Sequence, residues 1–254
     1  MSYMIAVTGK GGVGKTTFSA LLVKNLINAG KTPVLAIDAD PNSCLDAALG
    51  IKAENTIGRA REDVKKEGAS PNISTKELLQ MKLNESLVEA NGFDLIAMGR
   101  PEGAGCYCYA NNVVKSAIGE IAGQYPYVVL DNEAGLENLS RRIVQKVDMM
   151  VLVSDASNAG LETLKRLHTL ALEMEIEYGK LALVVNRVRN ANYAGRLEEI
   201  KNQTKADIAL ALPDDGPVAE FAETGRSFLE LPDDNPVNRE IIEFLKKGKI
   251  INGI

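Results

Sequence analysis

Nine consecutive residues, Gly9-Lys10-Gly11-Gly12-Val13-Gly14-Lys15-Thr16-Thr17, restrict the folds open to this chain more than any other segment. They match the spacing G-x-x-x-x-G-K-[ST], a loop whose backbone wraps a phosphate. An apolar run, Met4-Ile5-Ala6-Val7, precedes the loop, and a helical pattern beginning near Lys15 follows it. The segment therefore reads as a strand, a glycine-rich turn and a helix. Glycines let successive N–H groups converge on an anion, and the helix adds the positive end of its dipole. In such a loop Gly11, Gly12, Val13, Gly14 and Thr17 help to form the cradle. Lys15 reaches the β- and γ-phosphates, and the Thr16 hydroxyl ligates Mg²⁺. The expectation is a chain that binds a nucleoside triphosphate.

The rest of the sequence agrees with an α/β fold. Apolar strand-like runs are expected at 3–8, 33–38, 93–98, 126–131, 148–153, 180–186 and 206–211. Helical patterns separate them, near 15–29, 43–50, 54–67, 74–90, 110–124, 137–146, 158–176, 193–204, 215–223 and 236–248. Runs such as Met149-Met150-Val151-Leu152-Val153 are apolar without alternation, as expected of strands covered on both faces. The prediction is a doubly wound, mainly parallel sheet of about seven strands, formed as a single domain over 1–254. Ligands of such sheets sit at the carboxyl ends of the strands. The Pro-Asp-Asp segments at 213–215 and 232–234 read as turn and cap chemistry.

Composition narrows the setting. With 254 residues and 45% hydrophobic content, the chain can bury one substantial core. No stretch approaches the roughly 18 uncharged apolar residues of a membrane span, and no signal peptide is evident. A cytoplasmic protein without a membrane partner is expected. A net charge of −5 argues against a broad nucleic-acid-binding face. Three cysteines make a poor disulfide set and suit reduced thiols or metal ligands.

Lys10 narrows the class further. The form G-K-G-G-V-G-K-T-T resembles the deviant Walker A loop of the P-loop NTPases that include the MinD and ParA partitioning ATPases. In that family the early lysine crosses a dimer interface to the partner's phosphates, which implies a homodimer with Lys10 and Lys15 both catalytic. The segment Ile37-Asp38-Ala39-Asp40-Pro41-Asn42-Ser43 matches the family's first switch. The resemblance makes Asp40 the residue that orients the attacking water, with Asp38 supporting the Mg²⁺ shell. A helix cap near Ser43 is the plainer role for these two carboxylates. Asp131, at the end of the run Tyr127-Val128-Val129-Leu130, looks like the Walker B carboxylate that completes the Mg²⁺ shell. Gly135 follows where the family has its second switch, and a glycine there lets a peptide swing toward a γ-phosphate.

Base selection is expected from Asn186 and Arg187, because an amide at a strand end can donate to and accept from a purine edge at once. Guanine readers commonly carry an aspartate three residues after the asparagine; here that position is Arg189, which favours ATP. Leu212 and Pro213 resemble the family's second adenine-side loop.

The segment Gly105-Cys106-Tyr107-Cys108 is the remaining signal. Two thiolates are too few for a tetrahedral site, but a symmetric dimer that brings both loops to its two-fold axis offers four. Such a site suits Zn²⁺ if tetrahedral and Ni²⁺ if square-planar. Together with Asp38-Ala39-Asp40-Pro41-Asn42-Ser43-Cys44-Leu45 and Asp131-Asn132-Glu133-Ala134-Gly135, this segment resembles the CooC-type nickel-insertion ATPases. The resemblance implies Cys106 and Cys108 as metal ligands at the dimer face. It also implies a client nickel enzyme, carbon monoxide dehydrogenase or acetyl-CoA synthase. Cys44 is expected to pack in the helix after the first switch. Two other readings stay open, a MinD-like regulator of surfaces and an iron–sulfur carrier.

Overall fold

The computed structural model describes residues 2–67, 74–99, 118–136, 146–190 and 193–251. Eight strands form one sheet in the order β3-β4-β2-β5-β1-β6-β7-β8. They are β1 (Tyr3–Gly9), β2 (Val34–Asp38), β3 (Leu87–Glu89), β4 (Phe93–Ala97), β5 (Tyr127–Ala134), β6 (Lys146–Asp155), β7 (Glu177–Val188) and β8 (Ile208–Pro213). Every neighbouring pair is parallel except β3 with β4. The central strands are apolar on both sides because both sides are covered.

Four helices lie on one face: α1 (Lys15–Asn28), the short α2 (Leu45–Ala48), α7 (Gly216–Thr224) and α8 (Pro236–Lys247). The other face carries α3 (Ile57–Glu67), α4 (Thr75–Asn84), α5 (Asn158–Glu173) and α6 (Ala194–Thr204), together with helical residues 118–122. Local chemistry sets several of their starts. Ser74 and Glu77 form a reciprocal capping box at α4. Asp215 caps α7 by accepting from the Val218 amide at 2.9 Å, and Asn235 caps α8 ahead of Pro236. The Pro-Asp-Asp segments thus act as the turns and caps expected of them.

Three expectations change. The sheet has eight strands rather than about seven, because the pattern at 74–90 is two elements. The helix stops at Asn84, and Leu87–Glu89 pairs antiparallel with Asp94–Ile96 as a short edge strand. Leucines at 79, 83 and 87 keep helical spacing across that break, so periodicity alone hides it. The last strand runs from Ile208 to Pro213, later than 206–211. Lys146 begins β6 and does not end a helix; the rest of the expected helix, 137–145, lies outside the described residues.

The innermost helix is α1, wedged between the sheet and α8. Phe18 meets Phe244 edge-on at 5.6 Å, and Asn25 Nδ2 donates to Asn238 Oδ1 at 2.9 Å. Lys24 is buried in the same seam. Its ammonium donates to the Leu231 carbonyl and pairs with Asp233 at 2.9 Å. The two partners differ in kind: Leu231 is fully buried, whereas the Asp233 side chain is 73% exposed. Removing Lys24 strands a buried carbonyl, while removing Asp233 leaves a group that water can replace. Lys24→Ala is expected to lower unfolding stability by roughly 1–3 kcal/mol, and Asp233→Ala by less than about 1 kcal/mol. Urea denaturation at unchanged m-value checks both; equal losses would contradict the assignment.

Candidate functional site

The glycine-rich loop closes over the carboxyl end of β1, where two of its glycines have no room for a side chain. A Cβ on Gly9 would lie 2.1 Å from the Val153 carbonyl oxygen, and one on Gly14 would lie 2.3 Å from Asn186 Nδ2. Gly14 also holds a φ of 96° as the residue that starts α1. No side chain caps α1, so its first amides remain available to an anion. Lys15 is buried and its ammonium rests on the Lys10 carbonyl at 3.2 Å. Lys10, Gly11 and Gly12 are exposed. Val13 is buried and contributes its backbone. Thr16 and Thr17 lie half-buried in the first turn of α1.

Two carboxylates converge beside that turn. Asp38, the last residue of β2, and Asp131, within β5, are register partners, and both are buried. Asp131 accepts from the Thr16 hydroxyl at 2.7 Å and from the Ser19 hydroxyl at 3.1 Å. Burial chiefly, with the charge of Asp38 adding to it, lifts its pKa to about 7 against the pull of the two hydroxyls and Lys15. Asp38 is lifted to about 6, again mainly by burial. Its oxygens accept the Asp40 amide at 3.0 Å and the Leu45 amide at 2.9 Å. Asp38 thus holds the start of α2 as well as facing the site. Asp40 is half-buried, and its Oδ1 accepts from the backbone and side-chain amides of Asn42 at 2.8 and 3.0 Å.

This all-oxygen set of carboxylates and a hydroxyl suits a hard cation such as Mg²⁺. Among the described residues no three or more His, Cys, Asp or Glu side chains form a metal-holding group. A Mg²⁺ ion would therefore depend on Thr16, Asp131, water and nucleotide phosphates, with Asp38 behind them. Ser19 belongs to this site and sequence reasoning passed over it. Its position one turn after Thr16 on the same helix face was the available signal.

The segment expected to be the second switch is tied to β1. The β1–β5 register slips between the Val7–Asp131 and Gly9–Ala134 pairs, so Asn132 and Glu133 stand opposite Thr8 as a bulge. Gly135 is engaged at both ends. Its amide donates to the Gly9 carbonyl at 3.1 Å, and its carbonyl accepts the Thr8 hydroxyl. Asn132 donates through Nδ2 to the Val7 carbonyl at 3.1 Å. Its Oδ1 is buried without a partner, at a cost on the order of 1–3 kcal/mol.

At the base end, Asn186 Nδ2 donates to the Val13 carbonyl at 2.9 Å and its Oδ1 accepts the Arg187 amide at 2.9 Å. The asparagine expected at the base thus also anchors the phosphate loop. Arg187 is exposed with a φ of 58°. Arg189 pairs with Asp214 at 2.6 Å, joining the ends of β7 and β8. The Leu212 side chain is 2% exposed, which leaves only its backbone to a ligand, and Pro213 is half-buried beside it. Asp155, at the end of β6, was also missed. The Ser157 hydroxyl and amide lower its pKa, aided by the charges of Lys10 and Arg187. It ends β6 after a long apolar run, much as Asp131 follows the run Tyr127–Leu130, and that was its signal. Cys44 is exposed where packing was expected, because Leu45 takes the buried position. Cys106 and Cys108 lie outside the described residues.

Comparison with known proteins places this geometry. The nucleotide-binding domain model of CobQ, CobB, MinD and ParA matches residues 4–228. An uncharacterised ATP-binding protein of Methanocaldococcus jannaschii is 40% identical, over 98% of each chain. The carbon monoxide dehydrogenase accessory protein CooC of Rhodospirillum rubrum is 30% identical, over 89% of each. The MinD cell division protein of Aquifex aeolicus shares the fold with a TM-score of 0.69 at 24% identity, covering 98% of this chain and 96% of that one.

The paired carboxylates make a testable demand. Both pKa values are raised above the ordinary 3.8, so between about pH 4 and pH 7 the folded, metal-free protein holds protons that the unfolded chain has lost. Stability contributed by these groups falls as pH rises through that window and levels above it. In EDTA, Asp131→Asn should flatten this slope and stabilise the protein at pH 8 by at least about 1 kcal/mol. Urea denaturation at pH 5 and pH 8 measures it, and a destabilised variant at pH 8 would refute the assignment.

Proposed function

Because the chain belongs to the CobQ/CobB/MinD/ParA nucleotide-binding family, we propose that it is a dimerising, ATP-hydrolysing switch. We further propose that it assists nickel insertion into a carbon monoxide dehydrogenase or acetyl-CoA synthase. The observation that carries the nucleotide part is the convergence of Lys15, Thr16 and Asp131 at the glycine-rich loop, with Thr16 2.7 Å from Asp131. The cargo rests on Cys106-Tyr107-Cys108 and on the 30% identity to a carbon monoxide dehydrogenase accessory protein.

In hydrolysis a water oxygen attacks the γ-phosphorus, the bond to the β,γ-bridging oxygen breaks, and ADP departs. Positioning and charge supply the catalysis. Asp40 orients the water, and the α1 amides and Lys15 hold the phosphates. Lys10, exposed at the loop tip, completes the partner's site. Thr16 and Asp131 would hold Mg²⁺, which would supply positive charge against that developing on the phosphate oxygens. Asn186, Arg187 and the backbone at Leu212 and Pro213 take the base. Gly135, half-buried at the second switch, reports the γ-phosphate, and the dimer closes over it. Nickel is the cargo of the cycle, bound by Cys106 and Cys108 from both subunits.

A MinD-like role in surface regulation shares the nucleotide chemistry and differs in what is carried. The apolar stripe of α8 does not favour it: Ile241, Phe244 and Leu245 are fully buried against the core, so they offer nothing to a membrane.

Titration of reduced protein with Ni²⁺ and Zn²⁺, with and without ATP and Mg²⁺, tests the cargo. The expected result is about one metal per dimer, dependent on nucleotide and lost in Cys106→Ser and in Cys108→Ser. Metal binding indifferent to both cysteines would leave the surface regulator as the better account. Lys10→Ala and Asp40→Ala should each abolish turnover while retaining ATP binding, and normal turnover in either would remove its assigned role.

A further inference from the structure

We infer that the Thr8 hydroxyl exchanges acceptors when the second switch moves, leaving the Gly135 carbonyl for Oδ1 of Asn132, and that this exchange stabilises the triphosphate-bound form. The inference rests on the proposed ATP switch and adds Thr8 and Asn132, which that reading does not use.

In the structure both polar groups of Gly135 are held by β1, the amide by the Gly9 carbonyl at 3.1 Å and the carbonyl by Thr8. A γ-phosphate that recruits the Gly135 amide must therefore break a clamp with two bonds. Gly135 is half-buried, within reach of water that can take over the bond to its carbonyl. The Thr8 hydroxyl is fully buried and needs a protein acceptor. One stands beside it. Asn132 lies opposite Thr8 across the bulge and is 2% exposed.

Alternation along the strands sends both side chains to one face of the sheet. On β1, Met4 and Ala6 belong to the core under α3 to α6, with Thr8 next in that series; on β5, Val128 and Leu130 precede Asn132 in the same core. Asn132 Nδ2 is fixed on the Val7 carbonyl at 3.1 Å, which prevents the amide from turning away, and its Oδ1 has no partner. The clamped state thus leaves one buried acceptor empty, and the swung state fills it with the hydroxyl that the swing releases. Thr8 and Asn132 act as positioning residues, through Gly135.

The test compares binding of a non-hydrolysable ATP analogue and of ADP, by calorimetry with Mg²⁺, to wild type, Thr8→Val, Thr8→Ser, Asn132→Leu and the double variant Thr8→Val/Asn132→Leu. Thr8→Val should weaken the analogue by about threefold to tenfold and ADP by less than about twofold. Thr8→Ser should restore analogue binding, which a purely structural role for the methyl group would not allow. In the double variant both partners are apolar, and its loss should fall well below the product of the single losses. Equal weakening of analogue and ADP in Thr8→Val, or multiplicative losses, overturns the exchange. Thr8→Val and Thr8→Ser decide the matter even where Asn132→Leu fails to fold. Wild-type protein that binds neither nucleotide overturns the ATP reading and this inference together; normal wild-type binding with multiplicative losses overturns the inference alone.

Discussion

Two carboxylates buried side by side, Asp38 and Asp131, are the constraint around which the carboxyl edge of the sheet is organised. Parallel pairing of β2 with β5 puts them at the same level, and burial raises both pKa values. Such a pair is tolerable only with donors around it. Thr16 and Ser19, one helical turn apart, serve Asp131, and this fixes which face of α1 meets β5. Two backbone amides serve Asp38, and this fixes the path of the first switch into α2. The glycine-rich loop then has to pass between β6 and Asn186 at distances that exclude a Cβ at Gly9 and Gly14. A hard cation held there would resolve the apparent conflict of charge kept in a dry place.

Much of this was legible in the sequence because it is encoded by local rules. A strand, a loop with fixed glycine spacing and a helix are contiguous, so Gly9 to Thr17 could be read directly. Continuous apolar runs identified the parallel core strands and, through their ends, Asp38, Asp131 and Asn186. The failures have one physical source, which is pairing between distant segments. Leu87–Glu89 is a strand only because β4 is beside it. Leu212 turns into the core only because β8 continues to Pro213. The bulge opposite Thr8 is a property of two strands more than a hundred residues apart in sequence. Asp155 and Ser19 were visible in type but not in placement, since each gains its role from a charge or a carboxylate on another element.

The two functional readings share everything that the sheet fixes. They part at elements that the sheet does not need. The final helix commits its apolar residues to α1 and the core, with Phe244 against Phe18 and Asn238 against Asn25. Those contacts stabilise the very helix that presents Lys15 and Thr16. A role for α8 as a surface anchor would withdraw that support from the phosphate loop, which makes such an anchor costly for the same chain that has to bind nucleotide.

The path by which nucleotide could act on the cysteine-bearing segment follows from topology. That segment leaves the sheet after β4, whose neighbour β2 ends in Asp38 and leads into the first switch. The Met98 amide donates to the Asp38 carbonyl at 2.8 Å, and the Met98 carbonyl accepts the Gly58 amide at 2.8 Å. Gly99, with a φ of 63°, passes so close to Thr56 that a Cβ would lie 2.4 Å from its hydroxyl. The chain therefore enters the segment bearing Cys106 and Cys108 from a point hydrogen-bonded to Asp38 and to the start of α3. It returns through helical residues 118–122 to β5, which carries Asp131 and runs to Ala134. The described residues on either side of the segment thus connect to β2, which carries Asp38, and to β5, which carries Asp131. Coupling through these connections would require no long-range wire, only β4, β2 and β5 and the loops at their ends.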